Sequence, residues 1–182
     1  MRIKYDVTID DVVAFNRYHS KHSPTIKRTK RFCSAIGVIA ICIIVPLISP
    51  IEDFVWSAKL ALTAFAAVTF YVAFQLLFVR SLDKQVIRLV REGSTAGIIG
   101  SHELEITEET LTERTDSNTT SARWQGIADI AETETHVFFY QSALLAHVVP
   151  KNQITEGDLS SFVERAVAYW RKAQESNADS CS

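Results

Sequence analysis

Charge is missing from two long stretches of this 182-residue chain, and that lack organises the rest. Phe32 to Ile51 (FCSAIGVIAICIIVPLISPI) and Leu60 to Val79 (LALTAFAAVTFYVAFQLLFV) each run for twenty residues without Asp, Glu, Lys or Arg. Twenty helical residues at 1.5 Å each cover about 30 Å, the thickness of a bilayer's hydrocarbon core. Cysteine is scarce as well. Cys33 and Cys42 lie in the first run and Cys181 near the carboxyl end, an odd count with neither metal-ligand spacing nor obvious pairing, which excludes a disulfide framework. The first run starts late, exceeds a signal-peptide core in length, lacks an A-x-A cleavage site and is followed by a second run, so it reads as a span. No G-x-x-x-x-G-K-[ST], G-x-G-x-x-G, G-x-S-x-G or H-E-x-x-H occurs, which leaves phosphate cradles, a hydrolase elbow and a zincin site without sequence support.

Acids are absent from Val12 to Arg31, while Arg17, Lys21, Lys27, Arg28, Lys30 and Arg31 crowd in front of the first span. Arg80, Lys84, Arg88 and Arg91 follow the second. Residues 1–31 carry a net +5, residues 32–92 +1 and residues 93–182 −8, so the overall −2 hides a basic collar and an acidic distal part. The connecting segment 52–59 has two acids and one lysine, and the positive-inside rule then puts both termini in the cytoplasm of a multi-pass inner-membrane protein. Beyond its topological role, the collar is expected to attract anionic lipid. A domain at −8 repels anionic headgroups and nucleic acid alike.

What is present divides into elements. Ile3, Tyr5 and Val7 alternate with Arg2, Lys4 and Asp6, the period of a half-buried strand, and Thr8 with Asp11 resembles a capping box for a helix to about Ser20. Val12, Phe15 and Tyr18 form its apolar stripe. Pro46 predicts a kink in the span 32–51, and Pro50 helps to end it. Trp56 stands where an interfacial anchor belongs. In the span 60–79, Thr63/Ala67 and Thr69/Ala73, with Ser57/Ala61 just before, are small-xxx-small pairs that admit a neighbouring helix. Gln75, the one strongly polar side chain in either span, is expected to snorkel or to bond between helices. Residues 80–93 extend the second span as a stalk stopped by Gly93.

The period then changes. Six short β-rich runs, His102–Thr107, Thr110–Arg114, Thr119–Trp124, Ile127–Thr133, His136–Tyr140 and Leu144–Val149, predict an antiparallel meander over 98–174, with the N-terminal strand as a possible seventh. Leu159, Phe162, Val163, Ala166, Val167 and Trp170 repeat at helical spacing behind Thr155 and Asp158, predicting an amphipathic helix that closes the sheet. Residues 175–182 read as a disordered tail. Trp124, Ile127, Phe138, Tyr140 and Trp170 are expected in the core. The fold class is therefore α+β, a two-helix transmembrane hairpin plus a cytoplasmic antiparallel β domain, barrel or sandwich.

Tyr5-Asp6-Val7-Thr8 with Asp10-Asp11, the two spans, Trp124-Gln125-Gly126-Ile127, Phe138-Phe139-Tyr140 and Val148-Val149-Pro150-Lys151 together resemble the YcxB-like family of bacterial membrane proteins. The resemblance implies a β domain of pleckstrin-homology-like type and supplies no catalytic residue. The chain departs from it after Lys151, where Asn152-Gln153-Ile154 replaces a basic-then-aromatic ending.

His102, Glu103, His136 and His147 are the available acid/base or metal-ligating groups. His102 and Glu103 are adjacent in a strand and point to opposite faces, so scattered surface histidines are expected, with Glu103, Glu105, Glu108, Glu109, Glu113 and Asp116 as a solvated acidic face. No catalytic, cofactor-binding or metal residue is assigned. The functional expectation is a membrane-anchored, cytoplasm-facing interaction module that binds a protein or peptide, a second copy of itself included, and performs no chemistry. An enzyme using the region of His102, His136 and His147 is the alternative.

Overall fold

A computed structural model describes residues 1–48, 56–92, 97–142 and 145–180. Pro50, Gly93, Leu144, Cys181 and the first half of the segment 52–59 lie outside the described residues. The chain divides into two compact units, one formed by Met1–Asn16 with Val86–Ser182 and the other by Arg17–Gln85.

The first unit is built on β1 (Arg2–Val7), whose alternation buries Ile3, Tyr5 and Val7 and leaves the charged residues outside. It occupies the interior of a five-stranded antiparallel sheet, between β2 (Gly100–Ile106) and β8 (Ile154–Glu156). The sheet continues through β3 (Thr110–Thr115) to β4 (Thr119–Arg123). On its outer face Arg114 bridges Glu103 and Glu105 at 3.0 and 2.7 Å, and Lys4 meets Glu156 at 2.9 Å. β5 (Asp129–Glu132), β6 (His136–Tyr140) and β7 (Ala146–Pro150) form a second, three-stranded sheet.

The expected single meander is thus two sheets, and among the described residues they do not close into a barrel. The chain changes sheet at a 3₁₀ turn, Trp124–Gly126. There the Trp124 indole turns inward, 1% exposed, and its Nε1–H donates to the Thr107 carbonyl at 3.0 Å, which ends β4. β8 was not foreseen. Thr155, expected at the start of the last helix, belongs to this strand.

α4 (Leu159–Ser180) starts one residue after Asp158, whose carboxylate accepts from the Ser160 amide at 3.1 Å and from the Ser161 hydroxyl. It buries Phe162 and Ala166 completely, Phe162 meeting Phe139 edge-on at 6.3 Å; a side chain of that size contributes roughly 1.5–3 kcal/mol on burial. The Trp170 Nε1–H and the Gln174 amide both donate to the Ile127 carbonyl, at 2.8 and 3.1 Å. The helix runs to Ser180, through most of the stretch expected to be a tail.

All five residues of β6 are buried. Val137 and Phe139 join the main core, while His136, Phe138 and Tyr140 face the other way. α1 (Ile9–His22) covers that second face, with Phe15 5.5 Å from Phe138 and 5.6 Å from Tyr140, ring centre to ring centre.

In the second unit Ser23 caps α2 (Pro24–Ile48) through an Ile26 amide bond to its hydroxyl at 3.4 Å, with Pro24 at the favoured first helical position. α2 passes through Pro46 without ending there. α3 (Trp56–Glu92) is one uninterrupted helix of 37 residues, span and stalk together. Ser34, Gly37, Val38, Ile41 and Val45 form the less exposed stripe of α2, and Thr63, Ala67, Phe70, Ala73, Phe74 and Phe78 that of α3. Ser57, Ala61 and Thr69, expected at the helix contact, face outward. The close approach is made instead by Gly37, where a Cβ would lie 2.3 Å from the Phe70 ring. Both helices are long and apolar enough to cross a membrane. Phe32, Leu47, Leu60 and Phe65 stay between 66% and 78% exposed, an apolar surface of the kind that marks a protein or membrane contact.

Candidate functional site

Four inward-facing strand positions carry polar groups where hydrophobic residues would continue the core. Tyr5 follows Ile3, His102 precedes Leu104, Glu113 follows Leu111 and His147 precedes Val149, each two residues along the same face. Neighbouring strands bring them together. The Tyr5 hydroxyl and the His102 Nδ1–H donate to Glu113 Oε1 at 3.2 and 3.1 Å, and the His147 Nδ1–H donates to Oε2 at 2.8 Å. The Gln141 amide donates to His147 Nε2 at 2.7 Å. Tyr5 and His102 also stack, 5.6 Å between ring centres.

Burial by itself pushes the Glu113 carboxyl up, but the hydrogen bonds donated by the His102 and His147 rings, with the favourable electrostatics of those rings, outweigh it and hold the pKa down to about 2. The Tyr5 hydroxyl moves the other way, raised well above its ordinary value by burial first and by the Glu113 charge second. The centre is therefore a fixed anion wrapped in donors. His102 Nε2 points away from that anion, buried and without a hydrogen-bond partner among the described residues.

Beside this network lies a cleft of about 420 Å³. His102, Glu113, Gln141 and His147 line it on one side with Thr120 and Asn118, and Val7, Val12, Phe15 and Leu145 supply apolar wall. An apolar body with a few placed polar groups is what a pocket for a small molecule or an inserted side chain requires.

The expectation of scattered surface histidines is corrected: His102, His136 and His147 are 5%, 8% and 7% exposed. The structure unites His102 with His147 but separates His136, whose Nε2–H donates to Asp11 Oδ1 at 2.9 Å while Nδ1 accepts from the Thr135 hydroxyl at 2.8 Å. Asp11 also takes the Thr8 amide at 2.7 Å and the Gln153 amide at 3.1 Å. Burial would raise its pKa, yet the bonds from Thr8 and His136 bring it below the ordinary carboxylate value. The capping residue of α1 thus doubles as the pin that fastens that helix to β6. Glu103 faces outward as expected, 3.0 Å from Arg114. Glu113, read as part of a solvated acidic face, is the member that sequence reasoning missed. Its signal was present in the parity of β3, which puts it on the same face as Leu111. Among the described residues no group of three or more His, Cys, Asp or Glu is arranged to hold a metal ion.

Two antiparallel sheets packed with an amphipathic C-terminal helix, joined in the same chain to a pair of span-length helices, define the class as an α+β protein with two candidate membrane spans. Within it, residues 106–164 match the family model described as YcxB-like protein, so the stretch from the end of β2 into α4 is YcxB-like, as its Trp124-Gln125-Gly126-Ile127 and Phe138-Phe139-Tyr140 suggested. No curated protein and no solved structure matches the chain.

Proposed function

We propose that this protein is a membrane-anchored module, its two apolar helices forming a transmembrane hairpin and its β-rich unit facing the cytoplasm, that binds a short segment of a partner protein in the cleft beside Glu113 without transforming it. The cleft carries the proposal. Its apolar wall suits an inserted aliphatic or aromatic side chain, and its polar side, fixed in place by an ionised carboxylate, suits a backbone amide. The paired sheets with a closing helix support a pleckstrin-homology-like architecture for the unit. Topology is supported by strand register. Val7 pairs with Gly100, so the chain departs from the sheet and returns to the same point, and an intervening membrane passage then needs an even number of crossings. The Lys/Arg bias puts that shared side in the cytoplasm.

A photocrosslinking side chain introduced at Asn118, on the cleft, tests this in intact cells. A discrete protein adduct is expected in the membrane fraction, and Ala146→Trp, which fills the cleft, is expected to abolish it. No adduct, or one that Ala146→Trp leaves unchanged, overturns the proposal.

A carboxylate flanked by two imidazoles in an open cleft also suits proton transfer, which keeps an enzyme as the second reading. It requires that a compound retained by the purified protein change mass on incubation and that Glu113→Gln stop the change. A compound returned unaltered removes it.

A further inference from the structure

The helical unit carries a groove of its own, about 400 Å³, between the end of α1, the start of α2 and the last apolar turn of α3. Phe78, Val79 and Leu82 form one wall and Ile26 part of the other, and Arg17, Lys21, Lys27 and Lys30 stand around them. Among the described residues lining it Asp83 is the one carboxylate, and Arg17 already engages its Oδ2 through two nitrogens at 2.9 and 2.8 Å. That leaves three lysines with no carboxylate opposite them among the described residues; Lys30 instead lies 5.7 Å above the Phe78 ring. Two polar atoms of the groove, the Ser20 hydroxyl and Asp83 Oδ1, a donor and an acceptor, are buried without a partner among the described residues.

We infer that this groove is a binding site for one acidic phospholipid headgroup. The inference rests on the proposed membrane insertion of the hairpin. Phe78 and Val79 close the second apolar run and Lys30 stands just before the first, so in a bilayer the groove lies at headgroup depth, with its floor in contact with acyl chains. Lys21, Lys27 and Lys30 then meet the phosphate, the Ser20 hydroxyl donates to one of its oxygens, and Asp83 Oδ1 accepts from a headgroup hydroxyl. A basic pocket among span ends has this preference on general electrostatic grounds. The β-rich unit, with its acidic surplus, does not share it.

The test uses the full chain in nanodiscs of phosphatidylcholine containing a minor share of phosphatidylglycerol, released into native mass spectrometry. Retained phosphatidylglycerol is expected on the wild type, and the Lys27→Gln/Lys30→Gln variant is expected to hold it roughly fivefold more weakly for each lysine removed. Lys59→Gln, outside the groove, keeps wild-type retention, and circular dichroism verifies that each variant is helical. Equal retention of phosphatidylcholine, or undiminished phosphatidylglycerol on the double variant, overturns the site while leaving the anchor intact. A chain that stays soluble without detergent and never enters the discs overturns anchor and site together.

Discussion

Glu113 shows how one side chain changes meaning with its neighbours. Counted along the sequence it is one acid among six, but two imidazoles and a phenol enclose it in the folded unit. Its pKa falls from 4.5 when unconstrained to about 2. A carboxyl depressed on folding stabilises the fold fully above the unfolded value and loses that contribution as pH drops through the folded one. The window of loss is therefore pH 4.5 down to about 2, and the contribution at neutral pH is on the order of 3 kcal/mol. Acid titration followed by circular dichroism should show stability falling across that window, and Glu113→Gln should be less stable at pH 7 with a flatter acid limb. A variant with an unchanged acid limb would place the carboxylate's effect elsewhere. This centre was legible in part. Strand parity reveals that Glu113 is inward, but only three-dimensional pairing reveals that Tyr5, His102 and His147, from three other strands, arrive at the same spot. His136 has the same composition signal as His147 and a different role, because its strand presents it to α1.

Among the elements, long periodic ones were readable and short ones were not. β1, the alternating β2 and the amphipathic α4 announce themselves by period. β8 has three residues, too few for any period, and exists because β1 offers a free edge there. The turn that follows depends on Gly157, whose φ is +94° and whose Cβ, if it had one, would lie 2.7 Å from the Arg2 carbonyl oxygen. Gly157→Ala should cost about 1–3 kcal/mol through strain at positive φ, read as a lower melting temperature. An unaltered melting temperature would mean that the turn relaxes freely. In the helical pair the tight point is Gly37 against Phe70. Gly37→Leu must displace that ring, and the expected loss of about 1–3 kcal/mol is measurable as easier thermal unfolding in detergent. The sequence pointed instead to small residues on α3, since spacing reveals candidate contact faces without telling which partner residue fills them.

At the scale of the molecule, the apolar pair is an insert in a domain whose first strand lies far upstream of the others. Reporters at the amino and carboxyl ends should both register the cytoplasm; opposite signals would contradict the even number of crossings. A fragment starting at Gly97 retains every strand except β1 and should aggregate, because β2 and β8 then each present a bare edge. Adding residues 1–16 through a flexible linker should restore a monodisperse domain on gel filtration. Failure of that graft to rescue would show that β1 is dispensable.

The interior place of β1 also fixes an order of events during synthesis. It precedes both of its sheet neighbours, β2 and β8, in the chain and so leaves the ribosome before either of them. The nascent β1 must therefore wait unpaired while the two apolar helices emerge, and the sheet closes around it only once β8 has been made. Under the proposed membrane insertion, delivery to the bilayer comes first, and a folded cleft exists only on molecules already delivered.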